Sequence, residues 1–353
     1  MKISILTYHW EDNYGATMQA YATYRIITEL GHTPEFIDLR LPYRPSLRSR
    51  IIFSLKRKRF NRFRKRFFKN LSSKTYWSIE ELREDPPKGD CYLVGSDQTW
   101  NPQIAKSLLP AFFLTFGEDK VKRVTYATSI GLNEWEDSPY ISNAEITTAL
   151  KRFSKILLRE DSGIRIAKEK FGVEANQVID PVLLFPSYPE LTGEITPSSE
   201  VITYKLINDD GFYEMARSVA LSMSLPIRSI GSVRRPSGYK ASYPESVEGW
   251  IKRIASASLV MTDSFHGTVL SLLYHRPFIV YIGNPKRVTR IVSLLTQLGL
   301  EKRILTKENT YEEIISRVQE QIDWTDIDNK LNKLRNSSIN MLKDSLYESA
   351  IIR

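Results

Sequence analysis

The residues best suited to chemistry surround His266, where an apolar run gives way to polar residues and a glycine. The run Leu259–Thr262 predicts a buried strand, and the residues from Thr268 onwards predict a helix. The turn between them places His266 beside a helix N-terminus, whose N–H groups attract phosphate or carboxylate. We therefore predict that His266 is a general acid or base and that Ser264, Gly267 and Thr268 bind an anionic donor. The alternative is a histidine that only caps the helix or fills a packing gap.

Two further candidate anion sites follow apolar runs in the first half of the chain. Asn13-Tyr14-Gly15 opens a helix after the first predicted strand, where doubly wound domains usually bind an anion. A single glycine in a tight turn is equally compatible with a structural role. Arg159 lies at a strand end beside a helix that Ser162 caps, so we predict that its guanidinium grips a phosphate or carboxylate. A surface pair with Glu160 is the competing interpretation.

A third polar segment combines hydrogen-bonding side chains with a tryptophan, a composition suited to sugar recognition. It follows the predicted strand Cys91–Val94, and its candidate acceptor-binding residues are Asp97, Gln98, Trp100 and Asn101. His9, at the end of the first strand, is a further candidate on the same edge. An Asx-type turn that merely holds the loop explains these residues equally well.

Metal and disulfide chemistry are not indicated. The histidines and carboxylates are not grouped at metal-ligand spacings, so we predict no metal site and no bound cofactor. His275 and His32 follow predicted helices and are assigned structural or surface positions. Cys91 is the single cysteine, which excludes an intrachain disulfide and favours a reducing cytoplasm. The sequence shows neither a signal peptide nor an apolar run of roughly 20 residues.

Short apolar runs alternate with helical patterns along the chain, which predicts an α/β fold with parallel sheets. This alternation of apolar runs and helical patterns stops at residues 183–197, a segment rich in Pro, Ser and Thr, which we interpret as a linker. We therefore predict two Rossmann-like doubly wound domains, residues 1–185 and 198–353. Sites in such domains lie at the carboxyl ends of the strands, here in a cleft between the domains.

The net charge of +9 comes from one segment. Eleven basic residues lie between Arg48 and Lys69, and removing them would leave a net charge of −2. If helical, residues 47–71 are amphipathic, since Leu55, Phe60, Phe63, Phe67 and Leu71 recur at near three-to-four spacing. A helix of this kind is typical of peripheral contact with an anionic membrane. The alternative is that its apolar face packs on its own domain while the basic face is solvated. No nucleic-acid-binding fold surrounds the segment, so we predict no nucleic-acid partner. The sequence does not indicate an oligomeric state.

Taken in order, the motifs resemble those of the polysaccharide pyruvyl transferase family over nearly the whole chain. The matching segments are Asn13-Tyr14-Gly15-Ala16, Val94-Gly95-Ser96-Asp97-Gln98, Tyr126–Gly131, Leu158–Gly163, Ile179-Asp180-Pro181, Thr262–Gly267 and the region from Arg290 to Arg303. One departure is clear: well-studied members have Arg-Leu-His where this chain has Ser264-Phe265-His266.

The resemblance implies a glycosyltransferase-B-like arrangement of the two domains and phosphoenolpyruvate as the donor. The product would be a pyruvate ketal across two hydroxyls of a cell-surface sugar. Residue by residue, it assigns donor handling to His266 and Arg159. In place of the missing arginine, either Arg290 or another cation binds the donor, or the donor differs. The second domain is then the donor side and the first the acceptor side. The rival hypotheses are a glycosyltransferase that uses a nucleotide sugar and a non-enzymatic, membrane-associated assembly partner.

Overall fold

The computed structural model describes residues 1–41, 53–72, 74–207, 209–231, 236–240, 244–283 and 288–347. The chain forms two compact units: Met1–Arg50, Arg64–Leu184 and Asn332–Arg353 make up the first, and Ile51–Phe63 and Phe185–Leu331 the second. The chain passes from the first unit to the second between Leu184 and Phe185; the predicted first domain ends at residue 185. The last segment differs from the predicted division, because it groups with the first unit and not with residues 198–331.

The first unit is built on a parallel sheet of order β2-β1-β3-β4, whose strands are Lys2–Leu6 (β1), Thr33–Phe36 (β2), Cys91–Val94 (β3) and Lys122–Thr125 (β4). Single bridges continue the sheet beyond β4 toward a parallel pair, Leu157–Leu158 (β5) and Asn176–Gln177 (β6). Every residue of β3 is buried, because helices cover both faces of a doubly wound sheet. The chain order reverses between β1 and β3.

The helices of the first unit flank this sheet. They are Tyr14–Glu29 (α1), Ile79–Glu84 (α3), Pro102–Ala105 (α4), Leu109–Phe112 (α5), Asn143–Leu150 (α6) and Asp161–Phe171 (α7), with short 3₁₀ turns at Lys106–Leu108 and Pro181–Leu184. The side chain of Asn13 caps α1, and the left-handed Gly172 ends α7.

The second unit contains five parallel strands in the order β11-β10-β9-β7-β8. They are Val201–Tyr204 (β7), Ile227–Ile230 (β8), Leu259–Thr262 (β9), Phe278–Tyr281 (β10) and Ile304–Leu305 (β11). Its helices are Pro189–Thr192 (α8), Asp210–Ser222 (α9), Val247–Ser256 (α10), Phe265–Leu273 (α11), Thr289–Leu298 (α12) and Tyr311–Gln319 (α13), with a 3₁₀ turn at Glu301–Arg303. The order reverses between β7 and β9. Two Rossmann-like domains, the predicted fold class, are thereby confirmed.

The predicted linker is in part ordered structure. Helix α8 lies inside residues 183–197 and packs against α10. Phe185, Tyr188 and Leu191 are buried, which explains why a segment without clear periodicity adopts a fixed conformation.

Two helices contain residues of both units: Ser54–Phe67 (α2) and Trp324–Tyr347 (α14). In α2, Phe60 and Phe63 are buried, whereas Leu55 is exposed, as is Leu71 beyond the helix. The aromatic face is therefore covered by protein, and the exposed side of α2 is cationic. Residues 42–52, which include Arg48, Arg50 and the start of the predicted amphipathic segment, lie outside the described residues. Among the described helices, none has the length and apolar character needed to cross a membrane.

Candidate functional site

Each unit has one sheet edge at which ligands are expected. In open parallel sheets, ligands bind at the carboxyl ends of the strands where the chain order reverses. In the first unit this edge lies after β1 and β3, where Asn13 and Asp97 are found. In the second unit it lies after β7 and β9, which places the turn with His266 at the edge.

A short network of hydrogen bonds shapes the His266 turn in the second unit. The Ser264 backbone N–H donates to Thr262 Oγ1 (3.0 Å), and Ser264 Oγ accepts from the Gly267 N–H (3.3 Å) as the cap of α11. The Thr268 hydroxyl donates to the Ser264 carbonyl (3.1 Å). Ser264 and Thr268 thus fix the backbone, and His266 follows in the first turn of α11, 6% exposed.

Gly267 is required by close packing. A Cβ atom at this position would lie 2.6 Å from Thr262 Oγ1 and 3.2 Å from Thr262 Cβ. The start of α11 therefore approaches β9 more closely than any residue with a side chain allows. This contact explains why position 267 must be a glycine, in addition to the predicted role of Gly267 near the donor.

The positive charge beside this turn comes from residues outside the motif. Lys205, at the end of β7, is buried, and its Nζ lies 2.8 Å from Asp263 Oδ2, while the Leu206 N–H donates to Asp263 Oδ1 (2.8 Å). These contacts tie the end of β7 to the residues that precede His266. Sequence reasoning missed Lys205, although a lysine directly after a buried apolar strand is a usable signal. Arg290 places its guanidinium carbon 5.8 Å from the centre of the Phe265 ring, next to the same turn.

Arg159 is part of a buried network in the first unit. Its Nη1 lies 2.6 Å from Asp180 Oδ2 and 3.2 Å from Ser96 Oγ, and Nη2 lies 3.8 Å from Asp97 Oδ1. The side chain is 2% exposed, so the surface pair with Glu160 considered from the sequence is wrong. Glu160 is itself buried and accepts hydrogen bonds from the Ser129 hydroxyl and from the N–H groups of residues 130 and 131. Arg159 therefore braces the ends of β3 and β5.

Three of the predicted acceptor-binding residues are core residues. Trp100 is buried, its Nε1–H donates to the Phe112 carbonyl (2.9 Å), and its ring stacks on Phe113. Asn101 is buried and caps α4 through Gln103 N. A sugar-facing position for Trp100 and Asn101 is therefore wrong, because their polar groups are used inside the fold.

His9 is the third of these residues. It is 1% exposed, its Nε2 lies 3.2 Å from Asp38 Oδ1, and its ring stacks on Phe36 at 4.9 Å. Hydrogen bonds from His9, Arg40 and Thr75 outweigh the effect of burial and hold the pKa of Asp38 well below its usual range. The predicted position of His9 at an open edge is wrong as well.

The open part of the first edge consists of the residues after β1 and the first residues of the loop after β3. Asn13 is exposed, and its Oδ1 accepts from Ala16 N (3.1 Å), so the turn Asn13–Gly15 is a capped helix start. Asp97 and Gln98 are half-buried. Glu11, in the segment that follows β1, is also exposed. Within the described ranges, no three His, Cys, Asp or Glu residues are grouped so that they could hold a metal ion.

Comparison with solved structures supports the fold. A UDP-GlcNAc 2-epimerase from Neisseria meningitidis is similar, with a TM-score of 0.54 and 11% identity, over 98% of this chain and 99% of that chain. A 2-epimerase from Listeria monocytogenes, described as putative, gives 0.55 and 10%, over 98% and 97%. The O-GlcNAc transferase of Thermobaculum terrenum gives 0.51 and 11%; the match covers 98% of this chain but 66% of that longer chain. At these identities the likeness concerns the fold alone.

Comparison of the sequence with protein families gives a specific result. A search of curated proteins found no significant match. The family model for polysaccharide pyruvyl transferase matches residues 13–285. This range covers more than half of the chain, and it includes the Asn13 turn, the Asp97 loop, Arg159 and the His266 turn. The chain therefore belongs to the polysaccharide pyruvyl transferase family.

Proposed function

We propose that the chain uses phosphoenolpyruvate as donor and forms a pyruvate ketal on a sugar of a cell-surface polysaccharide or of its lipid-linked precursor. Family membership supports the pyruvyl transfer. The observation that carries the proposal is the His266 turn: an imidazole in the first turn of α11, at the edge of the second sheet where ligands of this fold class bind.

The second unit handles the donor. The N-terminus of α11 and the Arg290 guanidinium favour the phosphate and carboxylate of phosphoenolpyruvate. His266 delivers a proton to the methylene carbon, which makes the adjacent carbon electrophilic. Ser264 and Thr268 keep the turn in place, and no bound cofactor takes part.

The first unit handles the acceptor through Asp97, Gln98 and the Asn13 turn. Arg159 acts as a positioning residue, since its guanidinium joins Asp180 to Ser96, the residue before Asp97. A sugar hydroxyl adds to the electrophilic carbon, phosphate leaves, and a neighbouring hydroxyl closes the ketal. Holding both hydroxyls in a water-poor environment favours ring closure over hydrolysis.

The test is to incubate the purified protein with phosphoenolpyruvate and candidate glycosides, and to follow phosphate release and product mass. We expect acceptor-dependent phosphate release and a product with a pyruvate ketal. The His266→Asn variant should lose about two to four orders of magnitude in kcat. His275→Asn is the matched control, because His275 is half-exposed and pairs with Asp328 (2.9 Å) outside the turn. A protein that instead transfers sugar from a uridine or guanosine diphosphate sugar would refute the proposal in favour of a glycosyltransferase.

The proposed location is the cytoplasm, with peripheral contact to an anionic membrane through α2. One side of this helix carries four exposed basic residues, Lys58, Arg62, Lys65 and Arg66. The helix contains no acidic residue. Because Phe60 and Phe63 are buried, the contact is electrostatic and needs no insertion of the aromatic face.

Each Lys or Arg near an anionic surface contributes about 1 kcal/mol, so reversing three of them should weaken binding by at least about a hundredfold. Co-sedimentation with phosphatidylglycerol vesicles at low salt measures this for the Lys58→Glu/Arg62→Glu/Lys65→Glu variant. The control has the same change of charge at Arg165, Lys168 and Lys170, which are exposed on or near α7. Equal loss in both variants, or equal binding to phosphatidylcholine, would argue against a specific surface on α2.

A further inference from the structure

A buried ion pair fixes the residue that precedes the His266 turn, and it lies wholly within the second unit. Asp263 follows β9 directly and stands immediately before Ser264, the cap of α11. Lys205 follows β7, and its Nζ lies 2.8 Å from Asp263 Oδ2. The pair therefore joins the ends of the two strands between which the chain order of the second sheet reverses.

The strands β7 and β9 are already fixed to each other up to the residues before this pair. They run parallel with Tyr204 beside Thr262, and the Thr262 hydroxyl donates to the Tyr204 carbonyl (2.5 Å). One residue further on, Asp263 Oδ1 accepts from the Leu206 N–H (2.8 Å). Both carboxylate oxygens of Asp263 are thus bound by the chain that leaves β7, so that chain sets the direction of the Asp263 side chain.

The Lys205 ammonium is enclosed by the fold. Its side chain is 3% exposed, and Nζ lies 5.1 Å from the centre of the Phe212 ring and 5.6 Å from that of the Tyr281 ring. These rings belong to α9 and β10, so elements other than β7 and β9 also surround the cation. In the part of the chain that the structure describes, no second carboxylate lies within ion-pair distance of Nζ. A buried cation is stable only when it is paired, so Lys205 and Asp263 hold each other in place.

The position of His266 depends on this anchor through a short stretch of backbone. Only Ser264 and Phe265 separate Asp263 from His266, and Ser264 is the cap of α11. A shift of Asp263 therefore moves the cap and, with it, the first turn of the helix. A displacement of about 1 Å can cost about a hundredfold in rate, so a rigid anchor for this turn matters for catalysis.

We propose that Lys205 is a positioning residue for His266: through Asp263, it sets where the imidazole stands at the edge of the second sheet. This inference rests on the proposed function, in which His266 delivers the proton. The ammonium itself does not touch the donor, because it is buried between the Asp263 carboxylate and two aromatic rings. Loss of the ion pair should therefore lower kcat and leave the KM for the donor nearly unchanged.

Removing both charges together tests this role without leaving a buried charge unpaired. Methionine replaces the stem of the lysine, and asparagine at position 263 still accepts from the Leu206 N–H. The variant Lys205→Met/Asp263→Asn should therefore fold, with a melting temperature close to that of the unaltered protein. Its kcat for phosphate release should nevertheless fall by about tenfold to a hundredfold, with a donor KM changed by less than about threefold.

The single variant Lys205→Met and a control elsewhere in the unit complete the comparison. Lys205→Met should melt at a lower temperature than the double variant, because the mostly buried Asp263 carboxylate has lost its cation. Lys240→Met is the matched control: Lys240 Nζ lies 2.7 Å from Glu200 Oε1, and Glu200 precedes β7, at the other end of the strand from Lys205. We expect Lys240→Met to leave kcat and the donor KM unchanged.

Crystal structures of the ligand-free protein keep this inference separate from the choice of donor. When the unaltered protein and the double variant are superposed on β7 and β9, the His266 imidazole should be displaced by about 1 Å or be disordered. Lys240→Met should leave it in place. A displaced imidazole in a protein that forms no ketal would refute the proposed function and leave the positioning role standing.

Three results would overturn the inference. The first is an imidazole in the same position in the double variant as in the unaltered protein. The second is a kcat that recovers together with the melting temperature in the double variant, which would give the ion pair a purely structural role. The third is a donor KM that rises while kcat is unchanged, which would place Lys205 in contact with the donor.

Discussion

Replacing Gly267 with alanine tests how the His266 turn is built. The added Cβ would lie 2.6 Å from Thr262 Oγ1, so the two atoms must separate by about 0.4 Å to reach even the closest contact that real Cβ atoms show. Thr262 cannot rotate away freely, because its hydroxyl donates to the Tyr204 carbonyl (2.5 Å) and accepts from the Ser264 N–H (3.0 Å). The strain must therefore move the start of α11, which includes His266, or break one of these hydrogen bonds.

Overpacking of this kind costs about 1–3 kcal/mol, and losing one buried hydrogen bond costs a similar amount. We expect Gly267→Ala to lower the free energy of unfolding of the second unit by about 2 kcal/mol. Calorimetry, which resolves the two units if they unfold separately, measures this change. Because His266 moves with the helix, kcat for phosphate release should fall by at least tenfold.

Gly211→Ala is the matched control in the same unit. Its Cβ would meet only Asp209 Oδ1, at 3.5 Å, which is an ordinary contact. In a helix this change should stabilise by about 0.4–1 kcal/mol through the unfolded chain. Adding Thr262→Ala to Gly267→Ala should recover part of the loss, since it removes the clashing hydroxyl. If Gly267→Ala were as stable and active as Gly211→Ala, the close approach of α11 to β9 would not hold His266 in place.

Three further predictions concern stability. Hydrogen bonds from Arg228, together with Lys240, outweigh burial and lower the pKa of Glu200 to about 2. The stabilisation of the folded state by ionised Glu200 is therefore present above the unfolded pKa of about 4.5 and is lost as pH falls toward 2. When the free energy of unfolding is measured from pH 7 to 2, the Glu200→Gln variant should lack this part of the acid-dependent loss of stability. Arg159→Met removes the cation that pairs with the buried Asp180 carboxylate and should cost about 3–5 kcal/mol in unfolding free energy, whereas Arg159→Met/Asp180→Asn should recover much of it. Trp100→Phe should destabilise by about 1–3 kcal/mol without changing acceptor KM; a higher KM would restore the sugar-facing role.

Much of the fold could be predicted because it depends on local patterns. Buried strands of a parallel sheet read as short apolar runs, and helices follow from their periodicity and caps, so β9 and the start of α11 are visible in the residues around His266. A strand, a turn and a helix are contiguous in the chain. The position of His266 at the edge of a sheet is therefore a local property.

The neighbours of each side chain are not local. The residues next to Trp100 in the sequence are polar, which is compatible with a side chain in solvent or in the core. Only the hydrogen bond to the Phe112 carbonyl and the stacking on Phe113 show that Trp100 lies in the core. The linker residues Phe185 and Tyr188 likewise look irregular until the fold buries them. Segment 332–347 continues a helix from the second unit, and its assignment to the first depends on contacts far away in the chain.

The sequence by itself determined that this chain has two doubly wound domains and that His266 begins a helix after a buried strand. Only the tertiary structure decided which charges meet: Lys205 with Asp263, 58 residues apart, and Arg159 with Asp180. The physical reason is that backbone preferences act over a few residues, whereas the order of strands in a sheet brings distant loops to one edge.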